Sequence, residues 1–321
     1  MNRTGLKAAL LEAGTARITG MPVDLSDGSH AGPGAGGTGS VFFSFDGLRV
    51  RLSIDENSRV TIEHLGDGKA VLRFGDIVQE GFLEPAALHC PRQAYITISE
   101  GCIFRCRYCN VPSQTQKIKT PEEVISMIEK VADYIDCISI TSGVIGSPGE
   151  DEERVLEIIR RVKRFSLPVG VSTYPLPGTP GRLHDLGVTE VKFNLEAATP
   201  ELFSEMCPGQ DRNLIVSALK DSVVLFGKNH VFSNVILGLG ETDDEMKACI
   251  KELCEAGIIP VIRPLNPKSD LRDFPRPSAE RIMSIFEYHK ARLEENGLDP
   301  KKALTMCVAC TGCDLTPGRD E

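Results

Sequence analysis

Six of the eleven cysteines in this 321-residue chain stand in two tight triplets. Cys102, Cys106 and Cys109 form C-x3-C-x2-C, and Cys307, Cys310 and Cys313 form C-x2-C-x2-C close to the C-terminus. Three thiolates on one short loop can hold three irons of a four-iron cluster and leave the fourth iron open to an exogenous ligand. Structural zinc wants four closed ligands, and no further Cys or His lies within residues 103–112. The second triplet would accept a second four-iron cluster or zinc once a fourth ligand is found, with a free reducing tail as the remaining reading. Cys90 and Cys207 are candidates for such ligands or for redox thiols, although packing is the commoner fate of a lone Cys; Cys137, Cys249 and Cys254 are assigned to the core. An odd number of cysteines with no export signal makes a disulfide scaffold the poorer reading.

Something must position these thiols, and beyond residue 90 short apolar strands alternate with amphipathic helices, the βα rhythm of a parallel sheet or barrel. The expected strands are 95–99, 137–141, 169–173, 191–195, 233–237 and 260–263. Thr120-Pro121-Glu122-Glu123 and Thr242-Asp243-Asp244-Glu245 read as capping boxes, and Gly257 stands where a helix should stop. The fold class is therefore α/β, a partial (β/α)6 TIM-like barrel, with chemistry expected at the C-terminal ends of the strands. The first triplet directly follows the first of these strands.

Residues 1–86 read differently. A short helix around Leu6–Glu12 and a loop precede Gly32, Gly34 and Gly37, which match G-x-G-x-x-G but lead into a strand, so the dinucleotide reading is rejected. From Val41 to Phe74 the pattern has period two, with Asp46-Gly47 as a hairpin turn, which predicts a small antiparallel β module. The expected organisation is that unit, a barrel over 87–297 and a cysteine-rich tail over 298–321. A formal charge of −9 disfavours nucleic-acid binding, the absence of a long apolar run disfavours a membrane span, and a cytoplasmic location is expected.

The triplet C-x3-C-x2-C with Tyr108 before its last Cys resembles the hallmark of the radical S-adenosylmethionine (SAM) superfamily, over about residues 90–296. The resemblance implies a four-iron cluster whose open iron is chelated by SAM, and one-electron cleavage of SAM to a 5'-deoxyadenosyl radical that abstracts hydrogen from a C–H bond. Asn194-Leu195-Glu196 resembles the Asn-Leu-Glu/Asp element of biotin synthase and lipoyl synthase, which implies that Asn194 and Glu196 contact the SAM ribose; capping the next turn is the plainer role. Ile236-Leu237-Gly238-Leu239-Gly240-Glu241-Thr242 resembles a Gly-Leu-Gly-Glu-Thr segment of the same subgroup and the I-x-G-x-x-E pattern behind the adenine, implicating Ile236, Gly238 and Glu241. Arg212 is a candidate for the SAM carboxylate, with ordinary surface exposure as the alternative. Ser142-Gly143 sits where many members carry Gly-Gly-Glu, without an acid directly following. Arg263 and Asn266, at the end of the sixth strand, face SAM, substrate or the second cluster.

Taken with the second triplet, these segments look most like the archaeal biotin-synthase-related proteins, in particular the two-component archaeal lipoyl synthases. That implies sulfur insertion from an auxiliary cluster into an octanoyl chain on a carrier protein, a second radical SAM partner and an electron donor such as ferredoxin or flavodoxin. The N-terminal cysteine triplet and C-terminal Ser ligand of single-chain lipoyl synthase are not seen. A radical rearrangement or methylation, with the second cluster as electron relay, is the first alternative, and a non-catalytic iron–sulfur scaffold the second.

Overall fold

The computed structural model describes residues 2–22, 39–113 and 116–321, so the glycine-rich stretch Gly32 to Gly37 lies outside the described residues. Helix α1 (Arg3–Ala13) is capped by the Asn2 side chain, which accepts from Gly5 N, and ends at Gly14 with φ of 67°. Strands β1 (Thr15–Gly20), β2 (Ser40–Phe45), β3 (Leu48–Ile54), β4 (Val60–Gly66), β5 (Lys69–Phe74) and β6 (Ile77–Glu84) close into a barrel in the order β1-β3-β2-β6-β5-β4. The Asp46-Gly47 turn has φ of 48° and 80°, the geometry that matches strand twist, and it fixes the β2–β3 register at Phe45↔Leu48. Leu48, Val50 and Leu52 are buried.

From β2 to β6 the pairing is antiparallel, as the period-two pattern predicts, and β1, which lies before that pattern, adds parallel pairings with both β3 and β4. Closure removes the two open edges that a meander would leave exposed, and β1, short and half polar, carries little periodic signal of its own.

The second unit begins at β7 (His89–Cys90) and β8 (Gln93–Thr97), then runs through α2 (Pro121–Glu129), β9 (Cys137–Thr141), α3 (Pro148–Val162), β10 (Val169–Ser172), α4 (Thr179–Asp185), β11 (Glu190–Lys192), α5 (Pro200–Met206), α6 (Arg212–Phe226), β12 (Val231–Leu237), α7 (Asp243–Glu255), β13 (Ile259–Pro264), α8 (Ala279–Glu295) and α9 (Met306–Cys310). Strands β8 to β13 pair in sequence order and in parallel, a curled six-stranded half-barrel to which β7 adds one antiparallel edge. The capping boxes at Thr120 and Thr242 are formed, and Gly257 follows α7 with φ of 82°. The fourth strand is shorter than expected. After Lys192 the regular pairing is interrupted, Leu195 N donating to Ser233 Oγ at 2.9 Å, and Glu196, with φ of 60°, rejoins β12 through its bridge to Val235.

The units are joined where α1 meets α8: Ala279 N donates to Glu12 Oε2 at 3.0 Å. On α8, His289 is 2% exposed and neither ring nitrogen has a hydrogen-bond partner among the described residues. Burial drops its pKa from 6.5 to about 3, so the folded chain holds it neutral while the unfolded chain protonates it first. Its contribution is therefore complete above the unfolded value and lost as pH falls from there towards 3. His289→Gln should flatten the acid limb of thermal stability against pH, by up to about 1.4 kcal/mol per pH unit within that window. Parallel wild-type and variant profiles would contradict this.

Candidate functional site

The first triplet sits on the loop after β8, at the C-terminal edge of the half-barrel. Its backbone is tied to neighbours on three sides: Ile103 N to Val144 O at 2.8 Å, Arg107 N to Met206 O at 2.9 Å, and Gly143 N to Ser99 O at 3.0 Å. A Cβ on Gly143 would drive into the Gly101 carbonyl oxygen, with Ser99 O behind it at 3.1 Å. Neither obstacle is a flexible side chain. Gly143→Ala should therefore cost about 3 kcal/mol of stability, the upper range for overpacking, and lower the iron held by Cys102, Cys106 and Cys109. Iron analysis against urea unfolding would test both.

Cys102, Cys106 and Cys109 line a cavity of about 130 Å³ together with Ser142, Asn194, Glu196 and Gln210. Burial raises the thiol pKa of Cys102, and that of Cys109 to about 12. Cys106 is lowered, first by its hydrogen bond with the Cys207 thiol, and Gln210 Nε2 also donates to its Sγ at 3.0 Å. Among the described residues no three Cys, His, Asp or Glu side chains could hold a single metal ion. The thiols are spread around a space rather than gathered on a point, which suits a cluster better than a lone zinc.

An inner cavity of about 100 Å³ adjoins the first, and the two share Tyr108, Thr141, Ser172, Asn194 and Glu196. It continues past Lys192, Ile236, Arg263 and Asn266. Glu196 holds a left-handed φ of 60°, a conformation costly for a residue with a Cβ and commonest where surroundings over-determine it. Its carboxyl is raised by burial, with Lys192 and Arg263 pulling the other way. A wider groove of about 980 Å³ on the N-terminal barrel contains no thiol, so the chemistry follows the two smaller cavities.

Sequence reasoning missed Lys192, Asn234 and Gln210 on the cavity walls, and it missed a buried acid behind them. Asp151, 1% exposed in the first turn of α3, accepts from Ser99 Oγ and Ser142 Oγ, each at 2.8 Å. Its Oδ2 has no partner among the described residues, and its charge is felt at Cys102. An acid thus stands beside Ser142 after all, supplied from nine residues further on. Ser147-Pro148-Gly149-Glu150-Asp151 signals a capping box, and Asp151 reads there as an ordinary N-terminal acid.

The cysteine-rich tail neither covers the C-terminal mouth nor hangs free. It enters beneath the sheet from the opposite end: Glu190 accepts from Leu304 N and Thr305 N, both at 2.8 Å, and Gln93 Oε1 accepts from Met306 N at 2.8 Å. From the other side the N-terminal barrel clamps it, with Arg49 Nη1 on Cys310 O at 3.0 Å and Arg51 N on Gly312 O at 2.7 Å. Lys7 Nζ, wholly buried, reaches Thr311 O and Asp320 Oδ1, each at 2.6 Å. Lys192 Nζ lies 3.4 Å from Cys307 Sγ, so a residue lining the inner cavity also touches the second triplet.

Among known protein families, the radical SAM superfamily model matches residues 96–253. The chain carries a radical SAM domain. It is 24% identical over 168 residues to the lipoyl synthase of Histophilus somni (49% of this chain, 51% of that protein). It is 28% identical over 179 residues to that of Corynebacterium kroppenstedtii (52% and 50%). The chain spans about half the length of the curated relatives it matches. Among solved structures, the FeFe-hydrogenase maturase HydG from Carboxydothermus hydrogenoformans aligns with a TM-score of 0.54 at 17% identity, covering 63% of this chain and 51% of that one. Methylornithine synthase (PylB) aligns at 0.53 and 16%, covering 63% of each. These two likenesses show the fold.

The radical SAM domain implies a four-iron cluster and SAM, and the residues present fit them: three cysteines at the cavity wall, with polar groups from β9, the segment after β11 and the first turn of α3 around it. Tyr108, Ser142, Asn194, Glu196, Ile236 and Arg263 all line one cavity or the other. Arg212, Gly238 and Glu241 line neither. Arg212 opens α6 near Cys249. Glu241 folds back on its own turn, accepting from Gly238 N at 2.7 Å and Leu239 N at 2.9 Å and pairing with Arg281 at 3.0 Å. Gly238, with φ of 105°, makes that turn possible. Among the described residues no helix is long and apolar enough to cross a membrane.

Proposed function

We propose that this radical SAM enzyme inserts sulfur at an unactivated C–H carbon, with lipoyl assembly on an octanoyl-lysyl carrier protein as the reaction and Cys307, Cys310 and Cys313 as the seat of a sacrificial auxiliary four-iron cluster. When bound, the first cluster and SAM would supply the hydrogen-abstracting radical, leaving to the chain the tasks of orientation and exclusion of water. The observation that carries the reading is the inner cavity, which adjoins the cysteine cavity: Lys192 lines it on one side and contacts Cys307 on the other, so substrate held there would lie between the two thiol sets. The partial lipoyl synthase homology points the same way. A ferredoxin or flavodoxin would provide electrons, and a second radical SAM protein is the proposed partner.

One observation favours a second reading. The inner cavity is lined by Lys192, Asn194, Glu196, Asn234 and Arg263, a polar wall that an aliphatic chain would desolvate without hydrogen-bonding and whose cations suit an anionic substrate. Rearrangement or methylation of such a substrate, with the second site as electron relay, follows from it.

Anaerobically reconstituted protein with SAM, reductant and an octanoyl-lysyl peptide, with and without a radical SAM partner, separates the two. Sulfur added to the peptide, together with 5'-deoxyadenosine, is the expected result. Deoxyadenosine with an unchanged peptide would transfer support to the second reading, and no SAM cleavage would favour a scaffold.

A further inference from the structure

We infer that Cys90 is the fourth protein ligand of the second site, so that Cys90, Cys307, Cys310 and Cys313 form one closed four-thiolate set. This deepens the proposed function and rests on its reading of the tail triplet as an iron–sulfur site. Cys90 does not belong to the tail. It lies on β7, more than two hundred residues earlier in the chain, yet the Cys310 thiol is the neighbour that acts on it most strongly and Cys307 is another. At 1% exposure it is sealed from solvent.

The hairpin that carries Cys90 is also what holds the tail. Cys90 pairs with Gln93 across the β7–β8 turn, and the Gln93 side chain grips Met306 at both backbone groups, 2.8 Å to N and 3.3 Å to O. A single two-residue connection therefore presents one thiol and fixes the residue immediately before Cys307. His89 and Arg92, on either side, hold φ of 73° and 57°, and Met306 and Thr311 in the tail hold 57° each. Four non-glycine residues in the left-handed region, all flanking these thiols, mark backbone shaped by the demands of the site.

The electrostatics suit a thiolate cluster, whose net charge is negative. Lys192 stands at Cys307, Arg263 feels both Cys313 and Cys307, and Arg49 reaches the Cys310 carbonyl. Asp314, 1% exposed, keeps Oδ2 without a partner among the described residues beside Cys310 and Cys313. Asp314 and Cys137 are the rival fourth ligands. Thiolate outranks carboxylate as a cluster ligand, and Cys137, a charged neighbour of both Cys90 and Cys310, acts on Cys90 more weakly than Cys310 does. With four thiolates the second site has no open iron, in contrast to the first.

The test uses the full chain with Cys102, Cys106 and Cys109 all replaced by Ala, so that only the second site can hold iron, followed by iron and sulfide analysis, Mössbauer and EPR spectroscopy. The parent should hold one four-iron cluster. Adding Cys90→Ala should lose most of that iron or convert it to a three-iron signal, while Cys90→Ser should retain iron with shifted EPR g values from an oxygen ligand. Cys137→Ala and Asp314→Asn should leave the parent spectra intact, which separates ligation from packing. Unchanged spectra in Cys90→Ala, or the loss appearing in Cys137→Ala or Asp314→Asn instead, would overturn the assignment of Cys90. A parent that holds no cluster at all would overturn the reading beneath it.

Discussion

Replacing Cys106 with Ala is expected to reduce 5'-deoxyadenosine formation by about three orders of magnitude or more, because the group that carries the chemistry loses its anchor. Cys310→Ala is expected to leave SAM cleavage in place and abolish sulfur transfer to the peptide. The contrast follows from position. Cys106 lines the cavity at the C-terminal edge of the half-barrel with Asn194 and Glu196, whereas Cys310 lies under the sheet between Cys90 and the Arg49 guanidinium. Among the described residues no hydrogen bond links Cys310 to the first loop, so disturbance at one site should not spread directly to the other. Deoxyadenosine and peptide mass, followed in the same reaction, read both losses. Equal loss of both in Cys310→Ala would remove the basis for treating the tail as sulfur donor.

What could be seen in the sequence and what could not divides along chain separation. The first triplet was legible because its ligands lie within eight residues, and local spacing is enough to define that loop. The six βα units were legible because each strand is a short apolar run and several helices begin with a capping box. By contrast, the meeting of Cys90 with Cys310, of Gln93 with Met306, and of Arg51 with Gly312 joins segments remote in sequence, and no periodicity encodes such contacts. The parallel pairing of β1 was hidden for the same reason. Glu241 shows the opposite difficulty: a motif suggested a cofactor contact, but the carboxylate is engaged by its own turn and by Arg281. Asp151 was concealed by its neighbours, since an acid in the first turn of a helix usually needs no other purpose.

The tail's placement makes Glu190 the residue whose loss should matter most to the second site. Its side chain is fully buried and accepts from Leu304 N and Thr305 N at 2.8 Å and from Thr305 Oγ1 at 2.6 Å. Removing the carboxylate strands three donors in a place water does not reach, and each unsatisfied group costs about 1–3 kcal/mol. Glu190→Ala is thus expected to destabilise the protein by about 3–5 kcal/mol by urea unfolding, with Glu190→Gln, which keeps one acceptor oxygen, nearer the lower figure. The consequence for function is selective. Released at Thr305, the segment that carries Cys307 would lose its alignment with Cys90, so iron at the second site should fall and proteolysis near Leu304 should accelerate. The first loop, held at the other end of the strands by Val144, Met206 and Ser99, should keep its cluster. If the tail stays protected and its iron stays in place, Gln93 and the clamp from the N-terminal barrel hold it without Glu190, and the N-terminal barrel becomes the element on which the second site depends.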